Sequence, residues 1–546
     1  MPAPVVPTTA GRVVVPPPLG QPQTLPGVVT SPVISALPEA EMESPAVAAR
    51  FPDPVTRYST PGLAPDRHTF STNAEIGQWL QKLTAGTGSS GSHAMLLPAG
   101  QSQQGAPIHA AVFTRAPGSS PQQLDATQRP TVLLVGQQHG NEPAGSEALL
   151  VIAQELSQGL LEPLLEHINV IIVPRANPDG AAANTRATAS GVDMDSDHLL
   201  LNTPEAQALA TLVRNYRPIA VIDAHEFTVA GPYLEKFQAL QRYDALLQYA
   251  TVANAPEFFT KASREWYHEP MVRSLSAQNL SSDWYYTTSA TAGDLRLSMG
   301  STQPDTLRNV NGLKNSVSML VATRGVGLGS SHIQRRVHTH ITAITSALRS
   351  TAERAASLEQ VRSFVVRDTS ALACRNQVTI AAQATPERRD ITLLDPQTGA
   401  DRIVQVEWES ALKLRTLQTR PLPCGYWLPA SASNAIDRLR LQGLQVLRVA
   451  EPGSLLAETY SEIGSEQTTR QDATDTTRIK VQLLRSAIDV AAGSYYVPLN
   501  QPLASLAVAA LEPDTPHSYF ANHLVASLAD TARVMGTPSL LFEEME

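Results

Sequence analysis

The chain has 546 residues, with 41 Lys and Arg against 50 Asp and Glu and a formal charge of −9. Its 42% hydrophobic fraction can build a sizeable core, and the length suits about three domains. No basic block is present to displace phosphate counterions, and no run nears about 18 apolar residues, so a nucleic-acid platform and a membrane-spanning helix are excluded.

In chain order, residues 1–70 hold 15 of the 41 prolines and read as an extended arm laid along the surface. As it stands the N-terminus does not read as a signal peptide, since it has no basic n-region and prolines interrupt every apolar run. The composition also suits a mature exported chain, so a periplasmic or secreted location is expected, with the cytoplasm as the alternative. A helix is predicted over Asn73–Leu83, a Gly/Ser loop over Gly86–Gly91, and strands over Ile108–Arg115 and Thr131–Val135. A helix at Ala144–Leu156, a strand at His167–Val173, a helix at Thr203–Asn215 and a strand at Ile219–Asp223 follow. Thr203-Pro204-Glu205 carries helix-cap chemistry, a hydroxyl before a proline in the first helical position. Long helices are predicted near Tyr233–Asn254, Val310–Val321 and Ile333–Arg362.

This alternation predicts an α/β catalytic domain over 71–350, with a mostly parallel sheet and helices on both faces. Sites in such sheets form at the carboxyl ends of strands. Beyond it, short strands at Val365–Arg367, Val378–Ala382, Asp390–Leu394 and Ile403–Trp408 predict a smaller β-rich domain over 351–546, with a hairpin turn at Asp395–Gly399. A helix capped by Ser433 or Asn434 and ending near Gly443 precedes a strand at Gln445–Val449. Cys374 and Cys424 can form one bridge at most, in an oxidising compartment.

The strongest local signal is Gln138-His139-Gly140-Asn141-Glu142-Pro143, on the turn between a buried strand and a helix. Imidazole nitrogen and carboxylate oxygen are both good zinc ligands, so His139 and Glu142 can share one cation. His225 ends another buried strand, on the same sheet edge. Together they make a His₂Glu set that leaves a coordination position open, as catalysis requires. Asp223, two residues before His225 on the strand, can orient its imidazole.

From Thr131 to His338 the sequence resembles the zinc metallocarboxypeptidases, both the carboxypeptidase A type and the aspartoacylase/succinylglutamate desuccinylase branch. The resemblance rests on His139-x-x-Glu142, Arg175-Ala176-Asn177-Pro178-Asp179-Gly180, Gly191-Val192-Asp193, His225 and Thr323-Arg324-Gly325-Val326-Gly327. It implies amide hydrolysis at zinc: the metal polarises the carbonyl and activates water, a glutamate shuttles the proton, and an arginine stabilises the oxyanion. That arginine maps to Arg186.

Two departures stand against the matches. Where the family has Asn-Arg to clamp a substrate carboxylate, this chain has Asp195-Ser196: the aspartate repels a carboxylate and the serine cannot pair with it bidentately. Arg296, Arg308 or Arg324 could substitute, or the substrate could present an amine or an uncharged group. Asp193, Asp195 and Asp197 form an acidic strip, read either as a cation attractor or as a solvated loop. The family's general-base glutamate maps to Ala322, which cannot accept a proton, at a cost of about 10²–10⁴-fold or more. Glu226 points to the opposite face from His225 and does not replace it. Three explanations stay open: a deliberately inactivated variant, which is favoured; a natural pseudoenzyme; or a substitute base from another loop. Trp284-Tyr285-Tyr286 reads as a packing cluster, with Tyr285 the candidate for substrate contact.

The sequence thus predicts a zinc-dependent, carboxypeptidase-type amide hydrolase acting on a peptide or N-acyl amino acid, impaired in this copy. The alternative is a zinc-binding pseudoenzyme that holds peptides or cell-wall fragments. Neither a nucleic acid nor a membrane span is expected, and oligomeric state is left open.

Overall fold

Among the described residues ten strands precede residue 330: β1 His93–Gln101, β2 Pro107–Thr114, β3 Thr131–Gly136, β4 Asn169–Val173, β5 Ala220–Thr228, β6 Leu240–Gln241, β7 Ala245–Tyr249, β8 Ser282–Trp284, β9 Arg296–Ser298 and β10 Val317–Val326. They belong to a computed structural model that describes residues 43–85, 91–469 and 475–543. Eight of them form one sheet in the order β1-β2-β4-β3-β5-β10-β7-β8. The block β4-β3-β5-β10 is parallel and β7 runs parallel to β8, while β1–β2, β2–β4 and β10–β7 are antiparallel.

The wholly buried runs of β3 and β4 follow from two covered faces. Val132 and Leu134 pack with Leu149, Ile152 and Leu156 of helix Pro143–Gln158 and with Ile344 of helix Ile333–Glu353. Leu133 and Val135 point the other way, to Leu209, Leu212 and Val213 of helix Pro204–Tyr216. The period-2 alternation of a strand is thus read directly by helices above and below. The Thr203 hydroxyl accepts from the Ala206 amide, so the predicted cap is present.

Four predicted elements are corrected. Tyr233–Asn254 is not one helix but helix Pro232–Phe237 followed by β6 and β7. Val310–Val321 divides into helix Leu307–Leu313 and the start of β10. In both, a short apolar run buried on a sheet mimics a buried helix. Ile333–Arg362 breaks at Arg354 into two helices, and Val365–Arg367 lies inside the second, Ala355–Ala371, instead of forming a strand. The Gly/Ser loop, except Gly91, and the arm over residues 1–42 lie outside the described residues.

After residue 371 come the long strands β11 Gln377–Leu394 and β12 Asp401–Pro421, paired as a hairpin and flanked by β6 and β9. A six-stranded sheet follows, in the order β14-β17-β13-β18-β15-β16 (β13 Gly425–Leu428, β14 Leu447–Arg448, β15 Gly453–Thr469, β16 Asp475–Val490, β17 Tyr495–Pro498, β18 Ala532–Val534). A disulfide joins Cys374 to Cys424 at the hairpin base. At the tip, Arg50 donates to the Gly399 carbonyl at 2.7 Å and pairs with Asp401 at 2.8 Å. Between its ends the hairpin lays Val406 and Trp408 against Leu246, Tyr286, Leu320 and Ala322. No helix among the described residues is long and apolar enough to cross a membrane.

Candidate active site

The turn after β3 is held by backbone contact. A Cβ on Gly140 would fall 1.9 Å from the carbonyl carbon of Gly180, so the turn and helix Pro178–Ala183 touch main chain to main chain. Asn177 braces the same turn: its Nδ2 donates to the Gln138 carbonyl at 3.0 Å, and its Oδ1 accepts from Gly180 N at 2.9 Å. The Arg175–Gly180 segment is therefore scaffold. Asp179 accepts from Ser102 and Gln104, and Arg175 donates to Gln137 and to the Ser71 carbonyl.

On this scaffold His139, Glu142 and His225 converge, all buried, with ligand atoms within 4.8 Å of one another. Glu142 Oε1 lies 2.8 Å from His139 Nδ1, and Oε2 lies 3.0 Å from His225 Nδ1. The two Nδ1 atoms are 3.2 Å apart. The far nitrogens meet carboxylates, His139 Nε2 on Asp193 at 3.0 Å and His225 Nε2 on Asp223 at 2.8 Å. A carboxylate faces both nitrogens of each imidazole, so a proton or a cation must lie between each Nδ1 and Glu142; with each Nε2 hydrogen on its aspartate, each Nδ1 is free to turn a lone pair to a cation. Two lone pairs and a carboxylate facing one point repel unless a cation sits among them. The donor set fits a divalent ion of the zinc type, nitrogen and oxygen ligands with an outer carboxylate on each imidazole.

The electrostatics agree. Burial and Arg186 both work against charge on His139, but Glu142 and Asp193 outweigh them and raise its pKa. Burial likewise opposes charge on His225, and Asp223 and Glu142 carry it well above the usual imidazole range. Burial alone would raise Glu142, yet the two imidazoles hold it well below the usual carboxylate range. The pooled negative charge that attracts protons here attracts a metal ion equally.

Around this centre the predicted residues divide. Half-exposed Arg186 bonds Asp193 at 3.0 Å and reaches Glu142 at 3.4 Å, so it stands at the rim. Asp195 brings a carboxylate oxygen within 4.8 Å of ligand atoms on Asp223 and His225. Ser196 closes the short turn Met194–Ser196 beside it, half-buried. Tyr285 faces this centre: burial raises its phenol, opposed by Arg186 and His225. Trp284 and Tyr286 are packing residues, stacked on His268 and edge-on to Trp408 respectively.

Arg308 is 2% exposed and donates to the Ser301 carbonyl at 3.0 Å. Its Nη2 and the Tyr285 ring both crowd the space beside Gly300, whose φ of 79° suits glycine. Among the described residues no carboxylate lies within ion-pair distance of Arg308. Arg324 is not brought to the centre: its guanidinium lies 4.1 Å over the Phe51 ring and pairs with Glu43. Arg296 pairs with Asp294 at the surface. The acidic strip does not act as one unit either, because Asp197 caps the next helix through Asn202 and Thr203.

Ala322 pairs with His225 across the β5–β10 register and is fully buried. Glu226 lies behind the strand, with Arg336 at 2.7 Å and the Ala144 amide at 3.0 Å. Sequence reasoning missed Gln138 and His198. Gln138 donates to Asp223 at 2.8 Å and accepts from His198 at 2.6 Å. Their signals were adjacency to His139 and to the acidic strip. It also missed Asp193 as the partner of His139.

Fold and centre together give a mixed sheet with a parallel core, β4-β3-β5-β10, that carries a His/Glu/His set near the carboxyl ends of β3 and β5. Among known proteins, the family model for zinc carboxypeptidase matches residues 76–306. Carboxypeptidase 2 of Trichophyton equinum is 26% identical over 394 residues, covering 71% of this chain and 72% of the relative. Carboxypeptidase 2 of Trichophyton rubrum is 26% identical over 407 residues, 73% and 75% of the two chains. Among solved structures, a metallo-carboxypeptidase from Pseudomonas aeruginosa superposes with a TM-score of 0.37 at 16% identity, over 52% of this chain and 69% of its own. Carboxypeptidase A from Helicoverpa armigera gives 0.40 at 14%, over 58% and 80%.

Proposed function

We propose that the protein is a zinc-dependent hydrolase of peptides or N-acyl amino acids, with His139, Glu142 and His225 as metal ligands, and that it is inactive or strongly impaired because position 322 is alanine. The observation that carries the reading is the convergence of two imidazole Nδ1 atoms and one carboxylate, each imidazole fixed from behind by an aspartate. A zinc ion bound there supplies Lewis-acid polarisation of the scissile carbonyl. The other steps belong to the chain. Arg186, at the rim and permanently charged, receives the developing oxyanion. Tyr285 and Arg308 line the substrate side, Arg308 offering its charge to a carboxylate, while Asp195 and Ser196 weaken the grip on one. Ala322 holds no proton, and the apolar neighbours around it bring none.

We further propose that the β-rich part beyond about residue 351 walls the cleft of a catalytic part over about 71–350, and that the chain is exported. The Cys374–Cys424 bridge supports export, because such bonds persist in oxidising compartments. A zinc-binding pseudoenzyme that retains peptides or cell-wall fragments is the second reading, favoured by the burial of Ala322 among apolar side chains. Zinc content and hydrolysis of N-acyl dipeptides, compared between the parent chain and Ala322→Glu, test both. One zinc in each and a gain of hydrolysis in Ala322→Glu support the hydrolase; zinc in each with no gain supports the pseudoenzyme. Chains without zinc overturn both.

A further inference from the structure

Behind the proposed metal site runs a buried line of hydrogen bonds that leaves the centre altogether. His225 Nε2 meets Asp223 Oδ2 at 2.8 Å, and Gln138 Nε2 meets the same oxygen at 2.8 Å. Gln138 Oε1 in turn meets His198 Nε2 at 2.6 Å. All four residues are buried. Asp223 Oδ1 has no partner, so among the described side chains the Asp223 carboxylate is steered by His225 and Gln138 alone.

The line has only one consistent proton arrangement. Asp223 can only accept, so Gln138 must turn its NH₂ toward it and its carbonyl toward His198. His198 must then carry its hydrogen on Nε2. Burial keeps this imidazole neutral at ordinary pH by lowering its pKa to about 4. If His198 loses its donor, the Gln138 carbonyl is left buried and unpaired, at a cost large enough to favour amide rotation. Rotation would withdraw the N–H from Asp223. The backbone of His198 is itself pinned, its N–H donating to the Asp305 carbonyl at 3.0 Å. Its carbonyl accepts from Gln442 Nε2 at 2.6 Å, next to the helix Ser433–Leu441 of the β-rich part.

We infer that Gln138 and His198 are positioning residues for metal binding: they fix the Asp223 oxygen that holds His225 in the tautomer with Nδ1 free. This rests on the ligand assignment proposed above. Outer partners of this kind are worth about 10–100-fold in metal affinity.

The test is zinc titration of the metal-free full-length chain against a competing chelator, with the cobalt(II) absorption spectrum as a second readout and thermal stability of each metal-free variant as the folding control. Gln138→Glu keeps the shape but sets a carboxylate against Asp223, and His198→Leu removes the donor. Each is expected to weaken zinc binding about 10–100-fold and to alter the cobalt spectrum. The double variant should lose no more than the worse single, because both act through one bond to Asp223. His198→Gln, which restores an N–H donor, should recover most of the loss. Parental affinity and spectrum in folded Gln138→Glu overturn the inference, as do losses that simply add. If the parent chain itself takes up no zinc, the ligand assignment fails and this inference falls with it. If the parent binds and the variants match it, this inference alone fails.

Discussion

The two flanks of the centre are built from opposite chemistry. On one, His139, Glu142, His225, Asp193, Asp223, Gln138 and His198 are all buried or half-buried polar groups joined by hydrogen bonds of 2.6–3.0 Å. On the other, one strand away in register, Ala322 sits among Leu246, Tyr286, Leu320 and Trp408. A buried polar network persists only when its members are satisfied, so the first flank constrains many residues together. The second needs only shape and dryness. A chain can thus keep the whole apparatus proposed to hold a metal ion while the neighbouring position carries no acid or base at all.

Four substitutions sharpen or break this contrast. The largest effect is expected on the polar flank: His225→Ala removes a proposed ligand and should abolish zinc uptake in a titration, exceeding the roughly 10–100-fold cost of losing an outer partner. Zinc retained at parental affinity would place the ion elsewhere. Next, Ala322→Glu should raise hydrolysis of an N-acyl dipeptide by about 10²–10⁴-fold, while lowering thermal stability because a carboxyl enters an apolar cluster. Unchanged hydrolysis with zinc bound would mean that the second flank lacks more than one group. Trp408→Ala should destabilise folding by about 3–5 kcal/mol in denaturant titration yet leave zinc stoichiometry at parental level, since Trp408 packs on the apolar cluster and under Arg389, not on the proposed ligands. A parallel loss of zinc would show that the flanks are not independent.

The smallest effect is in pH dependence. The folded His198 pKa lies at about 4, below its ordinary value of 6.5, so the unfolded chain binds the extra proton first as pH falls. Stability tied to this group is complete above about 6.5, declines towards about 4 and levels off below it. In His198→Gln the slope of stability against pH across that window should be shallower. An identical slope would remove His198 from the titrating set.

Much of this was legible in the residues. Strands β3, β4 and β5 were readable because both faces are covered, which leaves unbroken apolar runs at Val132–Val135, Val170–Val173 and Ala220–Ile222. The His139/Glu142/His225 set was readable because strand ends bring such residues to one edge. What failed has a physical cause. Ala245–Tyr249 and Val317–Val321 are mostly apolar and wholly buried, and a five-residue buried run carries no period that separates strand from helix. Val365 and Val366 read as strand formers, but Val365 and Leu358, seven residues apart, share one buried helix face. Arg324 looked available to a substrate. Its capture by Phe51 and Glu43, more than 270 positions earlier, depends on a contact that no local pattern encodes. His198 was hidden for the same reason, since its meaning comes from Gln138, sixty positions before it.

The central claim is that one ion is held jointly by two imidazole Nδ1 atoms and the Glu142 carboxylate. X-ray absorption spectroscopy at the zinc edge, on the full-length chain loaded with one equivalent of zinc, tests it most directly. The account predicts a first shell of nitrogen and oxygen near about 2.0–2.2 Å, with scattering from two imidazoles that falls to one in His139→Ala. A shell without two imidazoles, or a spectrum that His139→Ala leaves unchanged, would contradict it.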